Sequence, residues 1–226
     1  MFGKVMLYVG IGMIAMLLPM TLVAARRRIK LWKSIPIALY ATLVGTISTY
    51  FWFFLENQYF GGISFFGAVF LCPVFFLLAT KLFHEDYYDL IDMFAPGICM
   101  MLSVMKVQCY STGCCGGKEL FVNADGITVY FPSQLVELGN ALLIMAVLLV
   151  LAFYNRFNKK LYPFFILIYG CTRFVLNFFR KEWVNDSGLL PPLGTIWSVL
   201  AIVIGAAWLM FLHRAERVKQ PYHVET

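Results

Sequence analysis

Charged residues are scarce in this chain. Only 13% of its 226 residues are Asp, Glu, Lys or Arg, whereas a soluble domain typically has about 25%. Low-complexity segments and stretches polar enough to form a separate soluble domain are also absent from the sequence. These absences argue against a water-soluble enzyme and favour a protein that folds within a lipid bilayer.

Long apolar stretches take the place of the missing charges. Hydrophobic residues make up 61% of the chain and aromatic residues 17%. They are grouped into stretches of about 20 residues, the length that crosses a bilayer as a helix. We predict an all-α polytopic membrane protein that forms a single domain over residues 1–226. The seven predicted transmembrane helices cover residues 5–24, 35–54, 64–83, 89–110, 134–154, 161–179 and 193–213.

The basic residues predict the orientation of these helices. Only Lys4 precedes the first helix, whereas the run from Arg26 to Lys30 follows it, which is the reverse of a signal peptide. With the N-terminus outside, the cytoplasmic segments contain twelve basic residues and the outer segments four. Because cytoplasmic loops are enriched in Lys and Arg, we expect an uncleaved first helix, an outer N-terminus and a cytoplasmic C-terminus. The cytoplasmic segments are then 25–34, 81–88, 155–160 and the tail from residue 213.

The net charge of +6 follows from this topology. No surface motif that combines basic and aromatic residues is present, so we expect no nucleic-acid partner.

Five polar residues of the predicted helices are expected at one depth, near the outer leaflet. Lys106 precedes the outer end of the fourth helix, and Gln134 and Glu137 begin the fifth. Arg173 lies within two turns of the outer end of the sixth helix, and Arg180 lies at its rim. A charge at the centre of a bilayer costs at least about 2.5–3.5 kcal/mol, and functional sites are where such costs are usually tolerated. We therefore predict a polar pocket built from three helices.

The predicted ligand of this pocket is an anionic phospholipid headgroup. Arginine suits a phosphate because its planar fork donates two parallel hydrogen bonds. Tyr169, Arg173, Asn177 and Arg180 are spaced i, i+4, i+8 and i+11, so we expect them on one face of the sixth helix.

Structural roles are the alternative for each of these residues. Lys106 and Arg180 could extend their charges to the membrane surface, and Arg173 could serve only to pair with Glu137. Gln134 and Glu137 could stabilise the start of the fifth helix, for which Ser133 is a suitable N-cap.

The stretch "KVQCYSTGCCGGKEL", residues 106–120, contains three of the six cysteines, Cys109, Cys114 and Cys115. A disulfide from Cys109 to one of the other two is one alternative. A zinc site would need a fourth ligand, and all three histidines fall on the predicted cytoplasmic side. We therefore assign no metal and expect the glycines of this stretch to matter more. Gly113, Gly116 and Gly117 allow the backbone to approach an anion closely.

Two further motifs concern the helices themselves. The glycines of "GGISFFGAVF", residues 61–70, favour close helix packing. In the fourth helix, Asp92 is followed by Pro96, which we expect to break the helix. Broken helices are typical of transporters, so a small transporter or channel is an alternative function.

Taken in order, the motifs resemble those of the prolipoprotein diacylglyceryl transferase family. The resemblance is carried by "GGISFFGAVF", "DLIDMFAPG", "KVQCYSTGCCGG", "FPSQLVE", "YGCTRFVLNFFR" and "LGTIWS". Arg173 falls on an essential arginine of that family. Other residues on family motif positions are Tyr169, Arg180, Gln134, Glu137, Gly113 and Gly117. We expect Arg173, Lys106 and Glu137 to be catalytic. We expect the substrate to be bound by Tyr169, Arg180, Gln134, Asn177, Gly113, Gly117 and Ser133.

This resemblance implies seven membrane spans and a transfer reaction in the bacterial plasma (inner) membrane. The diacylglyceryl group of phosphatidylglycerol passes to the lipobox cysteine in the signal peptide of a preprolipoprotein, glycerol phosphate leaves, and no cofactor is needed. Fixed cations would stabilise the charge that develops on the departing phosphate. The implied partners are phosphatidylglycerol or another anionic phospholipid, the cysteine-containing signal peptide and membrane lipid.

The sequence departs from the family pattern at four positions. Lys106 occupies the place of an arginine, and Phe66 that of a histidine in an aromatic–histidine–glycine–glycine motif. Asn177 stands where a glutamate is common, and Thr195 where a glutamine is common. Without the histidine, Glu137 or water would have to accept the thiol proton. The alternative is a family member that binds phospholipid but has lost or changed the transferase activity.

Overall fold

The computed structural model of the protein describes residues 2–123, 125–180 and 193–219. Seven α-helices and one two-stranded hairpin lie within these residues. The helices are α1 (Phe2–Arg26), α2 (Ser34–Asn57), α3 (Phe65–Phe83), α4 (Tyr87–Thr112), α5 (Ser133–Ala152), α6 (Leu161–Asn177) and α7 (Leu193–Lys219); the strands are β1 (Glu119–Val122) and β2 (Thr128–Tyr130). Each predicted helix has a counterpart, and the all-α class is confirmed.

Six of these helices are long and apolar enough to cross a membrane, and α6, at 17 residues, is shorter. Their outward faces are apolar: Leu39, Leu43 and Ile47 of α2 follow one another at i, i+4 and i+8, and each is more than half exposed. Such a stripe is stable against lipid and not against water. The chain is therefore a multi-pass membrane protein, while the orientation of its termini stays a prediction.

Helix α4 lies at the centre of the bundle. It packs against α1, α3, α5 and α6, and its residues from Leu90 to Cys99 are all buried. Asp86 caps its start, because the Asp86 carboxylate accepts hydrogen bonds from the backbone N–H groups of Tyr88 and Asp89. Gly113, with a φ of +70°, ends it. The end of α4 at Thr112 is therefore well defined, and the site described below is built around it.

Small residues bring neighbouring helices together, as the sequence predicted for the glycines of α3. A Cβ on Gly67 would lie 2.1 Å from the carbonyl oxygen of Ser48 in α2. A Cβ on Gly170 in α6 would lie 3.0 Å from the carbonyl oxygen of Ser198 in α7. Only glycine permits the first approach, and such close backbone packing is a main source of stability between helices in lipid.

The prediction that Pro96 breaks the fourth helix is wrong. Helix α4 continues through Pro96 from Tyr87 to Thr112. A proline removes a single backbone donor, and membrane helices tolerate this loss when neighbouring helices hold them. The next residue, Gly97, packs against Met16 and Met20 of α1. The broken helix on which the alternative of a transporter or channel was based is therefore not present in α4.

Asp92, the other unusual residue of this segment, anchors α4 to two neighbours. Its Oδ2 lies 2.7 Å from Nη2 of Arg27, which follows α1, and its Oδ1 accepts a hydrogen bond from the backbone N–H of Tyr162 in α6. Asp92 is completely buried. A buried carboxylate is tolerated only when it is paired and hydrogen-bonded, so this residue has a structural role.

The sequence did not predict the β1–β2 hairpin. The strands are antiparallel, with Val122 opposite Thr128, and the Asn123 side chain accepts hydrogen bonds from the backbone of Asp125 and Ile127 in the turn. The hairpin joins α4 to α5 and therefore lies at the same end of the bundle as the polar residues discussed below.

Replacing Asp92 tests its anchoring role. We expect Asp92→Asn to lower the free energy of unfolding by about 3–5 kcal/mol, because Arg27 would keep a buried charge with only the more distant Asp89, 3.9 Å from its Nε, as a described partner. The double variant Arg27→Met/Asp92→Asn should lose less than the sum of the two single losses. Thermal and denaturant unfolding in detergent would measure both, with the exposed Asp125→Asn as the control. If the loss of stability in the double variant equalled the sum of the two single losses, Arg27 and Asp92 would not stabilise each other.

Candidate functional site

Three basic side chains from different parts of the chain converge on the carboxylate of Glu137. Arg173 Nη1 lies 2.6 Å from Glu137 Oε1, and Arg180 Nη1 lies 3.2 Å from the same oxygen. The Lys106 ammonium forms an ion pair with Glu137 Oε2. Three positive charges against one negative charge leave the cluster with an excess of two positive charges. Glu137 is 5% exposed and Lys106 9%, so these charges lie inside the bundle.

Each member of this charge cluster is positioned by a different element. Lys106 lies less than two turns from the end of α4, Glu137 lies in the second turn of α5, and Arg173 lies near the end of α6. Arg180 follows α6 and is fixed by a backbone bridge to Gly117. The sequence placed these residues at one depth, and the structure brings them into direct contact.

Arg180 is not on α6, so the prediction of a single helix face fails for it. The helix ends at Asn177, and the following turn takes Arg180 to the loop that carries Gly117. Asn177 is also directed elsewhere, because its Nδ2 donates to Ser198 Oγ of α7 at 3.3 Å. Tyr169 and Arg173 are the two α6 residues that remain beside the site.

Tyr169 forms part of an aromatic wall next to the charges. Its ring centroid lies 5.1 Å from that of Phe65 and 5.8 Å from that of Phe66. Phe66 is 4% exposed and its ring also stacks on Phe70. The position at which the family motif would place a histidine is thus occupied by an apolar ring in an aromatic cluster.

The loop between α4 and β1 is fixed by residues that the sequence assigned to ligand binding. Ser133 Oγ donates to the carbonyl oxygen of Cys115 at 2.6 Å, and Gln134 Nε2 donates to that of Cys114 at 2.6 Å. Pro132, not Ser133, occupies the N-cap position of α5, so the prediction that Ser133 is the N-cap is wrong. The Ser133 hydroxyl does not cap α5; it donates its hydrogen bond to the loop and so holds the loop in place.

The glycines of this loop differ in their surroundings. A Cβ on Gly117 would lie 2.2 Å from the carbonyl oxygen of Phe131, so Gly117 allows the loop to pack against the segment before α5. Gly113 and Gly116 have open space around them. Gly113 adopts a positive φ, which a residue with a side chain rarely does.

A cavity of about 320 Å³ begins at the charge cluster and continues between α1, α2, α3 and α4. At one end it is lined by Lys106, Glu137, Arg173 and Arg180. At the other it is lined by apolar side chains such as Phe94, which precedes Lys106 by twelve residues on α4, or about 18 Å along the helix axis. The cavity is therefore apolar for most of its length and cationic at one end.

Glu56 is a residue of this cavity that sequence reasoning missed. It lies in the last turn of α2 and lines the cavity. Its Oε1 accepts a hydrogen bond from Ser64 Oγ at 3.1 Å, and the indole groups of Trp52 and Trp197 lie beside it. Among the described residues Glu56 has no basic partner, unlike Glu137. One signal was present in the sequence: Glu56 is the only acidic residue among the first 84.

The three cysteines of the α4–β1 loop lie beside the cluster as free thiols. Their Sγ atoms are all within 4.8 Å of one another, and Cys109 and Cys115 line the cavity. A hydrogen bond from the Cys109 thiol lowers the pKa of Cys115 to about 6, and the positive charge of Lys106 acts in the same direction. The Cys115 thiol is therefore more acidic than an ordinary cysteine thiol.

A comparison with known proteins finds a family model that matches most of the chain. The family model described as prolipoprotein diacylglyceryl transferase matches residues 5–211. A phosphatidylglycerol–prolipoprotein diacylglyceryl transferase of Francisella tularensis subsp. mediasiatica is 26% identical over 160 residues, which cover 66% of this chain and 60% of the relative. An enzyme of the same name from Dehalococcoides mccartyi is 26% identical over 170 residues, which cover 70% of this chain and 64% of the relative. The chain thus spans less than two thirds of the length of these curated relatives.

Proposed function

The chain belongs to the prolipoprotein diacylglyceryl transferase family, and on that premise we propose that it transfers a diacylglyceryl group from phosphatidylglycerol to the cysteine thiol of a preprolipoprotein signal peptide. The proposed location is the bacterial plasma (inner) membrane, with the charge cluster facing the outer leaflet. The same proposal assigns the anionic phospholipid and the signal peptide as partners.

The single observation that carries this proposal is the amphiphilic cavity. A phospholipid has an anionic phosphate at one end and acyl chains behind it, and the cavity has the complementary order of cations and apolar walls. Arg173 Nε is buried and has no hydrogen-bond partner among the described residues. A buried donor without a partner is costly, and a phosphate oxygen would satisfy it.

The proposed reaction uses these cations to stabilise the leaving group. The acceptor thiolate attacks the glyceryl carbon that bears the phosphate, a carbon–sulfur bond forms, and the carbon–oxygen bond to the phosphate breaks. The electron pair of that bond leaves with glycerol phosphate, and Arg173, Lys106 and Arg180 stabilise its charge. Because the three cations are fixed before the lipid enters, they need not reorganise during the reaction.

Glu137 has a different role in this proposal. Its two carboxylate oxygens already contact three cations, so both oxygens are engaged in ion pairs before a substrate enters. It holds the cations at fixed positions and limits their mutual repulsion. The proton acceptor must therefore be another group.

Glu56 is the proton acceptor that we propose. The thiolate, and not the thiol, is the nucleophile, so a base beside the cavity is required. Glu56 lines the cavity and has no basic partner among the described residues, and its hydrogen bond from Ser64 orients the carboxylate. Phe66, in contrast, offers no group that accepts a proton.

The activity is tested with the purified protein, labelled phosphatidylglycerol and a lipobox peptide. We expect a thioether-linked diacylglyceryl peptide, and we expect Arg173→Ala to reduce its rate of formation by about 100-fold or more, because a fixed stabilising charge is lost. Arg214→Ala, at an exposed position on α7, is the control for a generic loss of arginine. Absence of product from the wild-type chain, under conditions in which an established family enzyme works, would refute the proposed activity.

The role of Glu56 is tested by changing the acidity of the acceptor. Glu56→Gln should lower transfer to a cysteine peptide by about 100-fold or more and leave phosphatidylglycerol binding unchanged. A selenocysteine peptide, which is already deprotonated at neutral pH, should restore most of the rate. If Glu56→Gln lowered the transfer rate equally with the cysteine and the selenocysteine peptide, the role of Glu56 would be only structural.

The alternative, phospholipid binding without transfer, is favoured by one observation, the apolar surroundings of Phe66. It predicts that the wild-type chain binds phosphatidylglycerol but forms no product. The double variant Phe66→His/Lys106→Arg should then gain activity, because it supplies a base and a bidentate phosphate donor. The matched single variants would show which change is required, and an active wild-type chain would exclude this alternative.

A further inference from the structure

The three thiols beside the cavity form a cluster that the transfer reaction does not use. Cys109 belongs to the last turn of α4, whereas Cys114 and Cys115 belong to the loop that follows it. Their three Sγ atoms nevertheless lie within 4.8 Å of one another. Cys72, Cys99 and Cys171, the other cysteines of the chain, lie outside this cluster.

The backbone around these thiols holds them in place. Cys115 has a φ of +60°, a conformation that residues other than glycine seldom adopt. The loop is held there by the hydrogen bonds from Ser133 to the Cys115 carbonyl and from Gln134 to the Cys114 carbonyl. Because both donors belong to the first turn of α5, the convergence of the sulfur atoms depends on two helices and not on the loop alone.

We propose that Cys109, Cys114 and Cys115 form a three-sulfur site for a soft cation such as Cu(I). Three sulfur atoms placed about 2.3 Å from a common centre are about 4 Å apart, so the cluster needs to contract by less than about 1 Å. Thiolate ligands select soft metals. No histidine or carboxylate joins the three sulfur atoms within the ranges that the structure describes, and this favours a three-coordinate ion over tetrahedral zinc.

The charges around the cluster suit the complex that would form. Three thiolates and one Cu(I) carry a net charge of about −2, and Lys106 lies one helical turn before Cys109 on α4. The ion would join the end of α4 to the loop, which Ser133 and Gln134 join to α5. It would therefore fix the wall of the cavity beside Lys106. The site is separate from the transferase proposal, since its ligands take no part in the reaction.

Metal binding is tested without any activity measurement. The full chain is purified anaerobically in detergent, reduced with a phosphine, freed of reductant and titrated with Cu(I) held by a chromophoric competitor. We expect the chain to withdraw one Cu(I), with sulfur-to-copper absorption in the near ultraviolet. Cys109→Ser/Cys115→Ser should lower the affinity by more than about tenfold, since even outer partners of a metal site contribute that much.

Cys171→Ser is the matched control, because Cys171 is an exposed cysteine outside the cluster. It should bind Cu(I) as the wild-type chain does. Equal binding by the double variant and the wild type would overturn the proposal, and so would failure of the reduced wild-type chain to take up copper. A disulfide among the three cysteines, found by mass spectrometry in protein isolated anaerobically from cells, would also overturn it in favour of a redox pair.

Discussion

The polar end of the molecule depends on one carboxylate that pairs with three cations. If Glu137 were absent, the three cations would repel one another inside a bundle that offers little water. These cations are Lys106, Arg173 and Arg180. With Glu137 present, α4, α5, α6 and the segment after α6 are joined at a single point. The positive charge that remains unbalanced is available to an anionic ligand. The same residue therefore accounts for the local fold and for the predicted chemistry of the site.

A second buried ion pair fixes the opposite part of α4. Asp92 and Lys106 are fourteen residues apart on the same helix, which corresponds to about 21 Å. Arg27 and the start of α6 hold the first of these residues, and Glu137 holds the second. Helix α4 is thus attached to its neighbours near both ends, and the apolar cavity runs between the two attachments. A ligand that enters the cavity meets a wall that is already positioned, so little ordering of the protein is required on binding.

Periodicity and charge were sufficient to predict most of the fold and part of the site. The seven helices follow from runs of apolar residues, and Lys106, Glu137 and Arg173 were placed together because charges are rare in such runs. Arg180 was placed less well, since the helical spacing used for it assumes that α6 continues, and α6 ends at Asn177. Asn177 was placed less well because its side chain bonds to Ser198 of α7, a contact that helical spacing does not reveal. Glu56 was missed because a carboxylate at a helix end has an ordinary explanation, and only the tertiary structure shows that it lines the cavity. The hairpin has strands of three and four residues, too short to give an alternating pattern.

The length of α6 has a consequence for the surrounding bilayer. Seventeen residues span about 26 Å as a helix, which is less than the hydrocarbon thickness of about 30 Å. Hydrophobic mismatch of this kind is relieved by local thinning of the membrane. Thinning beside α6 would bring the plane of the lipid phosphates closer to Arg173. In the proposed function, the short helix would then reduce the distance over which phosphatidylglycerol is lifted out of its leaflet before it reaches the site.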